Sequence, residues 1–285
     1  SGIPAMITHF KIRGKKNWGR SAALIRRIDE ARAAGIDVTM AQYPYTAGST
    51  FLHVVIPPWY HSRGVDGLLR ALREERGAIK HDLDTRMDWE NFSQSVGWEK
   101  IFVSSVVSEA NQPCVGKSIS QIAAERGHAD PADAAFDLLV EEQLAVGMIS
   151  FGLDEADITA IMRHPAVSFI TDGLMSGRPH PRAYATYPRI LGRYVREQGV
   201  LSLEEAVRKM TSLPARKIRL RNKGVIAEGY DADLVVFDPD TVIDKNSYDD
   251  PRVHPAGIAH VLVNGVFVVE DAALTGARPG RVIRD

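Results

Sequence analysis

The stretch IPAMITHFKIRGKKNWGRSAALIRRIDEARAAGIDVTMAQY (residues 3–43) decides the fold class. It opens with the apolar run IPAMITH, typical of a buried strand, and closes with IDVTMAQY, a second strand-like run that ends before Pro44. Between them, SAALIRRIDEARAAG predicts a helix with Ser21 as its N-cap and Gly35 as its end. The apolar residues of this helix share one face: Leu24, Ile25, Ile28 and Ala31. The stretch therefore predicts a β-α-β unit with short connections.

The same alternation of strand and helix continues beyond the first unit. Strands are predicted at AVGMISFG and AVSFITDG, and the second would carry Asp172 at its C-terminal end. Helices are predicted at GKSISQIAAERG, DPADAAFDLLVEEQL, DEADITAIMRH, TYPRILGRYVREQG and SLEEAVRKMTSLPARKI. This alternation is typical of an α/β fold with a parallel barrel or sheet, and not of an all-α or all-β protein.

Two parts of the chain do not follow the alternation. From about residue 56 to 111 the sequence has many charges and no clean period, which we interpret as an insertion or lid. Further on, short β-rich pieces alternate with turn residues, and VLVNGVFVV predicts a hairpin with Asn264 and Gly265 as its turn. We therefore predict a large domain over residues 1–220 and a small β-domain over residues 221–285.

The composition excludes several classes of function. Lys and Arg number 35 against 36 Asp and Glu, a net charge of -1, so neither nucleic acid nor a membrane surface is an expected partner. No apolar stretch approaches the ~18 residues of a membrane span, and the first residues do not resemble a secretion signal, so we expect a cytoplasmic protein. The lone Cys114 lacks neighbouring ligands, which favours an inert thiol. No G-x-G-x-x-G follows a strand, which argues against an oxidoreductase on a doubly wound sheet.

His9 and Asp172 both stand at the C-terminal ends of predicted strands, where α/β barrels carry their catalytic groups. An imidazole there can ligate a divalent ion, and a carboxylate can take a proton from water and pass it to a leaving group. A histidine at a strand end is also often structural, however, and an Asp before a Gly is often a turn residue. The two residues by themselves leave both interpretations open.

A set of short motifs favours a metal hydrolase. In chain order they are THFK, NWGRS, YPYTAGST, TDGL, RPHPR, TYPRILGRYVRE, KMTSLPA, ADLVVFDP and VNG. In this order they resemble the second half of the D-aminoacylases, the N-acyl-D-amino-acid deacylases of the amidohydrolase superfamily. The resemblance covers nearly the whole chain except residues 56–111. It implies the second half of a (β/α)8 TIM-type barrel, followed by part of a small C-terminal β-sandwich domain.

The resemblance also implies roles for individual residues. His9 would bind the catalytic zinc, and Asp172 would be the general acid and base and a metal ligand. The substrate's α-carboxylate would be held by Lys11, Tyr43, Ser49 and Arg182. Cations and hydroxyls are the groups that such a carboxylate needs. Arg178 and His180 in the RPHPR run are second choices, and three further histidines are expected at the surface: His53, His61 and His81.

The sequence departs from the family pattern in several ways. Phe10 replaces the second His of the family's motif, and Ala41 replaces a frequent Asp, so both could reshape the pocket. The family's His-x-His, its ligand Cys and a further His belong to an N-terminal half that this sequence does not contain, and catalytic zinc usually has three protein ligands. We therefore expect one or two zinc ions whose remaining ligands come from the N-terminal half as a separate chain in a hetero-oligomer. Ser1 would then be a cleavage product, with an artificial terminus as the alternative.

The reaction that the resemblance implies is hydrolysis of the amide bond of N-acyl-D-amino acids or related D-configured peptides. A cyclic-amide hydrolase of the dihydroorotase or hydantoinase type is an alternative, although the carboxylate-holding residues argue for an acyclic substrate. A second alternative is a catalytically silent, amidohydrolase-like subunit that binds a ligand or a partner. A partner chain bearing His-x-His and a Cys would distinguish the enzyme from the silent subunit.

Overall fold

The computed structural model describes residues 2–283, so Ser1, where we predicted a processing site, lies outside the described residues. The fold is α/β. The strands are β1 (Ala5–Ile7), β2 (Val38–Gln42), β3 (Ala47–Phe51), β4 (Ile101–Ser105), β5 (Gly147–Phe151), β6 (Val167–Phe169), β7 (Leu234–Phe237), β8 (Ile258–Val263), β9 (Val266–Glu270) and β10 (Ala273–Leu274). The α-helices are α1 (Ser21–Ala33), α2 (Pro58–His61), α3 (Gly64–Glu74), α4 (Arg76–Thr85), α5 (Phe92–Val96), α6 (Ile119–Arg126), α7 (Pro131–Glu141), α8 (Glu155–Met162), α9 (Arg182–Arg189), α10 (Leu203–Met210) and α11 (Ser212–Lys217).

A parallel sheet with the strand order β1-β2-β6 contains the first predicted strands. Ala5 lies opposite Val38 and Ile7 opposite Met40 in the β1–β2 pair, and β2 pairs with β6 in the same direction. All residues of β2 are buried, as expected for the central strand of a covered parallel sheet. Because α1 connects two parallel strands, the predicted β-α-β unit is confirmed.

Helix α1 packs on this sheet through the predicted apolar face. Ile28 is buried, and the other members of that face pack against the same cluster: Leu24, Ile25 and Ala31. The prediction of Ser21 as N-cap was wrong, because Arg20 occupies that position and makes no side-chain cap. The backbone amides of Gly19 and Ser21 instead donate to the Asp157 carboxylate on α8, at 2.8 and 3.1 Å. A carboxylate from another helix therefore caps α1 and complements its positive end.

A second sheet, with the order β3-β5-β4, is antiparallel throughout. The strand at β5 was predicted, but its assignment to the parallel barrel or sheet was wrong. Four of its five residues are buried, and Ser150 is the polar one among them, so the strand shows no alternation of exposed and buried residues. A buried run of this kind does not reveal whether the neighbouring strands are parallel or antiparallel to it.

One apolar core joins the antiparallel sheet to helices α2–α7. Its buried members extend from Leu52 to Met148 and include Leu72, Ile79 and Phe136. The range 56–111, which we interpreted as an insertion or lid, contributes α2–α5 and β4 to this core. Two of its helices, α2 with 4 residues and α5 with 5, have too few turns to show a clean period, whereas α3 and α4 have 11 and 10 residues. The domain boundaries stay a prediction.

Helices α6, α7 and α8 begin and end close to the predicted positions, whereas the helix predicted at SLEEAVRKMTSLPARKI divides into α10 and α11. Ser118 and Gln121 form a capping box at the start of α6, and the Asp130 side chain caps α7 with Pro131 in its first turn. The helix predicted at TYPRILGRYVREQG divides into α9 and a π-helix, Ile190–Glu197. The described helices include none that is long and apolar enough to cross a membrane.

The C-terminal strands form a four-stranded antiparallel sheet with the order β10-β9-β8-β7. Asn264 and Gly265 connect β8 to β9, with φ angles of 49° and 78°. Two positive φ angles are what a type I′ turn requires, so the predicted hairpin is confirmed.

Candidate active site

His9 and Asp172 lie at the same edge of the parallel sheet, because each follows a strand that pairs with β2: His9 follows β1, and Asp172 follows β6. Both side chains are on exposed residues, and both backbones are left-handed, with φ of 40° at His9 and 47° at Asp172. Such angles are uncommon for residues with a side chain and occur preferentially where function constrains the backbone.

Arg182 connects three of the predicted site residues. Its side chain is only 1% exposed, and its Nη2 lies 3.0 Å from Asp172 Oδ2. The same nitrogen donates to the backbone oxygen of Ser49 at 3.1 Å, and the guanidinium carbon lies 4.5 Å from the centre of the Tyr43 ring. Nη1 and Nε of Arg182 are buried and have no hydrogen-bond partner among residues 2–283. A buried guanidinium with unsatisfied donors is suited to bind a further anion.

Lys11 extends this network to His9. Its Nζ lies 3.1 Å from His9 Nδ1 and 2.8 Å from the His9 backbone oxygen, and 5.5 Å from the centre of the Tyr43 ring. Burial, with the positive charge of Arg13 beside it, lowers the pKa of Lys11 to about 8. A lysine held in this way is a second cationic group facing the same small space as Arg182.

Tyr43 is buried beneath both cations, and burial raises the pKa of its hydroxyl, so the group stays protonated and can donate a hydrogen bond. Ser49 is half-buried, and the contact that joins it to Arg182 uses its backbone oxygen and not its hydroxyl. The expected role of the Ser49 hydroxyl stays a prediction. The structure thus brings His9, Lys11, Tyr43, Ser49, Asp172 and Arg182 into one continuous set of contacts.

His180, a second choice from the sequence, is a buried structural residue. Its Nε2 lies 3.1 Å from the backbone oxygen of Ala47, and its Nδ1 accepts from the backbone amide of Arg182 at 3.0 Å. Burial, with Arg182 nearby, holds the pKa of His180 well below its usual range, so the ring is neutral. Because its Nδ1 holds the Arg182 backbone, His180 positions the first turn of α9.

Residues 246–252, which we call the strap, pack over the loop that carries His180 and Arg182. Asn246 Nδ2 donates to the backbone oxygen of Pro181 at 3.0 Å, and Arg178 Nη2 lies 2.5 Å from Asp249 Oδ1. The Tyr248 ring stands edge-on to His180, with the ring centres 5.1 Å apart. The sequence analysis missed the strap, because it belongs to none of the motifs that carry the resemblance.

Phe10 and Ala41, the two departures from the family pattern, lie in the core. Phe10 is 5% exposed and packs with Ile28 and Met40 between α1 and the parallel sheet. Ala41 is fully buried, and its backbone oxygen accepts from the Phe10 amide at 2.8 Å. Both substitutions therefore act through packing beneath the site.

His9 and Asp172 offer one imidazole and one carboxylate to a metal ion. Within the described part of the chain, no group of three or more His, Cys, Asp or Glu residues is placed to hold a metal. Catalytic zinc usually has three protein ligands and one open position. One imidazole and one carboxylate suit part of such a site, and the assignment of His9 and Asp172 as zinc ligands stays a prediction.

Residues 112–269 match the model of the amidohydrolase family. Because this match covers more than half of the sequence, the chain belongs to the amidohydrolase family.

Within this family the chain is similar to enzymes that act on D-amino acid derivatives. It is 38% identical to an N-acyl-D-glutamate deacylase of Alcaligenes xylosoxydans xylosoxydans over 100% of this chain and 49% of the relative. It is 36% identical to a D-aminoacylase of the same organism over 99% of this chain and 49% of the relative.

A solved structure is similar over the same extent. The N-acyl-D-glutamate deacylase of Bordetella bronchiseptica, complexed with zinc and a phosphonate inhibitor, has a TM-score of 0.77 and 35% identity, covering 100% of this chain and 50% of that one. The chain therefore spans about half the length of the relatives it matches.

Proposed function

We propose that this chain provides the substrate-binding and proton-transferring part of a zinc-dependent enzyme that hydrolyses the amide bond of N-acyl-D-amino acids or related D-configured peptides. The observation that carries the proposal is the convergence of residues from three regions of the chain, near positions 9, 43 and 182, into one set of contacts. The relatives named above are deacylases of N-acyl-D-amino acids by name, which supports this substrate class.

In this proposal two cations and a hydroxyl hold the substrate's α-carboxylate. Arg182 uses Nη2 for Asp172 and Ser49, and its buried Nη1, unsatisfied among the described residues, would be the donor left for the substrate. Lys11 approaches from the His9 side, and Tyr43 offers its hydroxyl from below. The Ser49 hydroxyl completes the set. A bidentate cation with a second point charge suits a free carboxylate, which an N-acyl amino acid has and a cyclic amide lacks.

Asp172 is the proton carrier in this proposal. Its side chain is 37% exposed, so water and substrate can reach it, while the ion pair with Arg182 fixes its direction. It takes a proton from the attacking water and passes it to the nitrogen of the leaving amine, which releases the free D-amino acid. Asp172 Oδ2 lies 3.0 Å from Arg182 Nη2, so a substrate whose carboxylate was held there would have its scissile amide next to the proton carrier.

His9 and Asp172 would hold one or two zinc ions in part. When bound, zinc polarises the amide carbonyl and lowers the pKa of water. The remaining ligands would come from an N-terminal half, present as a separate chain in a hetero-oligomer. The same half would complete the parallel sheet as a (β/α)8 barrel and the C-terminal sheet as a β-sandwich. The cytoplasmic location stays a prediction.

The test combines elemental analysis of the native enzyme that contains this chain with release of amine from N-acetyl-D-amino acids. We expect near-stoichiometric zinc, and we expect Asp172→Asn to keep the fold and to abolish amine release. Asp240→Asn, which changes an exposed carboxylate near the C-terminal sheet, is the matched control and should retain full activity.

A catalytically silent, ligand-binding subunit is the second candidate, because the described residues include no complete metal-binding group. Zinc-free native protein that binds N-acetyl-D-amino acids without releasing amine would favour this candidate and refute the hydrolase.

A further inference from the structure

The His180 ring lies in a box of aromatic side chains between strand β3 and the strap. It stands edge-on to Tyr45 and to Tyr248, with 5.1 Å between the ring centres in each pair. The Tyr43 ring is tilted against it, with the ring centres 6.4 Å apart. His180 itself is only 1% exposed. Because aromatic rings pack on it from several sides, the plane of the imidazole is fixed, and so are the directions of its two nitrogens.

Each nitrogen of this ring has its own role. Nε2 lies 3.1 Å from the backbone oxygen of Ala47 at the start of β3, so Nε2 carries the proton and donates it. Nδ1 therefore has a free lone pair, which accepts from the backbone amide of Arg182 at 3.0 Å. The ring thus joins β3 to the first turn of α9, which carries the proposed carboxylate-binding guanidinium.

The strap supplies one wall of this box from the C-terminal part of the chain. Tyr248 packs between His180 and Phe151, whose ring centre lies 4.7 Å from that of Tyr248. Asn246 Nδ2 donates to the backbone oxygen of Pro181 at 3.0 Å, which joins the strap to the residue after His180. The strap therefore contacts both the ring of His180 and the backbone that follows it.

Arg189, at the end of α9, holds the two walls of the box together. It pairs with Asp244, just before the strap, at 2.7 Å, and the two side chains are 18% and 8% exposed. Its Nε donates to the backbone oxygen of Pro44 at 2.9 Å, and its guanidinium carbon lies 4.7 Å from the centre of the Tyr45 ring. A charge-assisted pair with little exposure therefore connects the start of the strap to the wall on the β3 side.

We propose that His180 and Tyr248 are positioning residues for substrate binding: Tyr248 holds the His180 ring, and Nδ1 of that ring holds the backbone from which Arg182 reaches the substrate's α-carboxylate. The proposal rests on the proposed deacylase function, in which Arg182 binds that carboxylate. It makes the strap a determinant of substrate affinity. An α-carboxylate is held in the ground state and in the transition state alike, so a displaced Arg182 should raise KM and change kcat little.

Two substitutions of His180 separate the roles of its two nitrogens. His180→Asn places an oxygen near the position of Nδ1 and keeps an acceptor for the Arg182 amide, whereas His180→Gln reaches towards Ala47 and leaves that amide without one. The assay uses the native enzyme with the best substrate from a panel of N-acetyl-D-amino acids.

We expect His180→Gln to raise KM by about 2- to 10-fold, as the loss of one hydrogen bond implies, and to change kcat by less than about twofold. His180→Asn should keep KM within about twofold of the unmodified value. His81→Gln, at an exposed position of α4, is the matched control and should change neither constant.

Two substitutions of Tyr248 test the contribution of the strap. Tyr248→Ala removes the ring that packs on His180 and should raise KM by about 2- to 10-fold, again with kcat changed by less than about twofold. Tyr248→Phe keeps the ring and should restore KM to within about twofold of the unmodified value. Tyr230→Ala, which removes a ring that is 39% exposed, is the matched control.

Three results would overturn the inference and leave the proposed function intact. They are an equal rise of KM in His180→Asn and His180→Gln, an unchanged KM in Tyr248→Ala, and a fall of kcat as large as that of kcat/KM. If the unmodified enzyme releases no amine from any N-acetyl-D-amino acid, the proposed function is refuted and the inference falls with it.

Urea unfolding shows whether each variant is folded. If Tyr248→Ala is not, Asn246→Leu takes its place, because it removes the hydrogen bond to Pro181 from the same strap. Asn246→Leu should also raise KM by about 2- to 10-fold, and an unchanged KM in this variant counts against the inference.

Discussion

Replacing Arg182 by Lys keeps one positive charge and removes the geometry that the site uses. In the structure, Nη2 serves both Asp172 at 3.0 Å and the Ser49 oxygen at 3.1 Å, while the planar group lies over Tyr43. A lysine has one nitrogen on a flexible stem, so it cannot reproduce these contacts and also offer a donor to the substrate. At least one charge-assisted hydrogen bond is lost, which corresponds to about 1.5–3 kcal/mol.

We therefore expect Arg182→Lys to lower kcat/KM for an N-acetyl-D-amino acid by about 10- to 150-fold, because each 1.4 kcal/mol is about tenfold. Arg182→Met leaves Asp172 without its cation, but the Asp172 side chain is 37% exposed and stays solvated. We therefore expect the free energy of unfolding to fall by only about 1–2 kcal/mol, through the lost contacts of the guanidinium.

Two assays on the native enzyme separate these effects: amine release reports the lost substrate contact, and urea unfolding reports the lost stability. Arg163→Lys, at an exposed position after α8, is the control and should behave like the unmodified enzyme in both assays. An Arg182→Lys enzyme with full kcat/KM would refute the assignment of Arg182 to the substrate's carboxylate.

Two predictions concern stability. Glu142 is buried and accepts hydrogen bonds from Ser108, Asn111 and the Val107 amide. Burial alone would raise the pKa of its carboxyl group, but these hydrogen bonds outweigh burial and lower the pKa from 4.5 to about 2. Because the native state holds the ionised form, this stabilisation is present above pH 4.5 and is lost as the pH falls towards 2. Glu142→Gln should lower the free energy of unfolding at pH 7 by about 2–3 kcal/mol and remove the pH dependence in that window, and urea unfolding between these pH values would show it. Lys209 is fully buried, and its Nζ donates to the last carbonyls around the end of α8, including Met162 at 2.8 Å. Lys209→Met leaves these oxygens unsatisfied, so it should lower the free energy of unfolding by about 1–3 kcal/mol in the same urea assay. An unchanged urea midpoint would contradict that role.

The sequence predicted most of the local structure, because its signals are local. The hairpin at Asn264 and Gly265 needs two positive φ angles, and these two residues adopt them readily. Helices α6 and α7 carry their own caps at Ser118 and Asp130. What the sequence could not predict depends on distant partners. The direction of β5 is set by its neighbours in the sheet, and the cap of α1 is supplied by Asp157 on another helix.

In the candidate site, too, the sequence predicted the residues but not their distant partners. The motifs placed His9, Lys11, Tyr43 and Arg182 in the site, and the structure brings these residues into contact. Their hydrogen-bond partners were not predictable, because the atoms involved belong to the backbone or to residues far along the chain.

The strap over residues 246–252 has a consequence for the order in which the protein matures. Translation delivers Arg182 to the nascent chain well before Asn246 and Tyr248, which hold its loop in place. Until the strap has emerged and docked, the loop lacks the hydrogen bond from Asn246 to Pro181 and the packing of Tyr248 on His180, so the arrangement around Arg182 is complete only after residues 246–252 have been synthesised. Nascent or C-terminally shortened chains would then contain the proposed site residues without the contacts that the strap supplies, and in a looser arrangement.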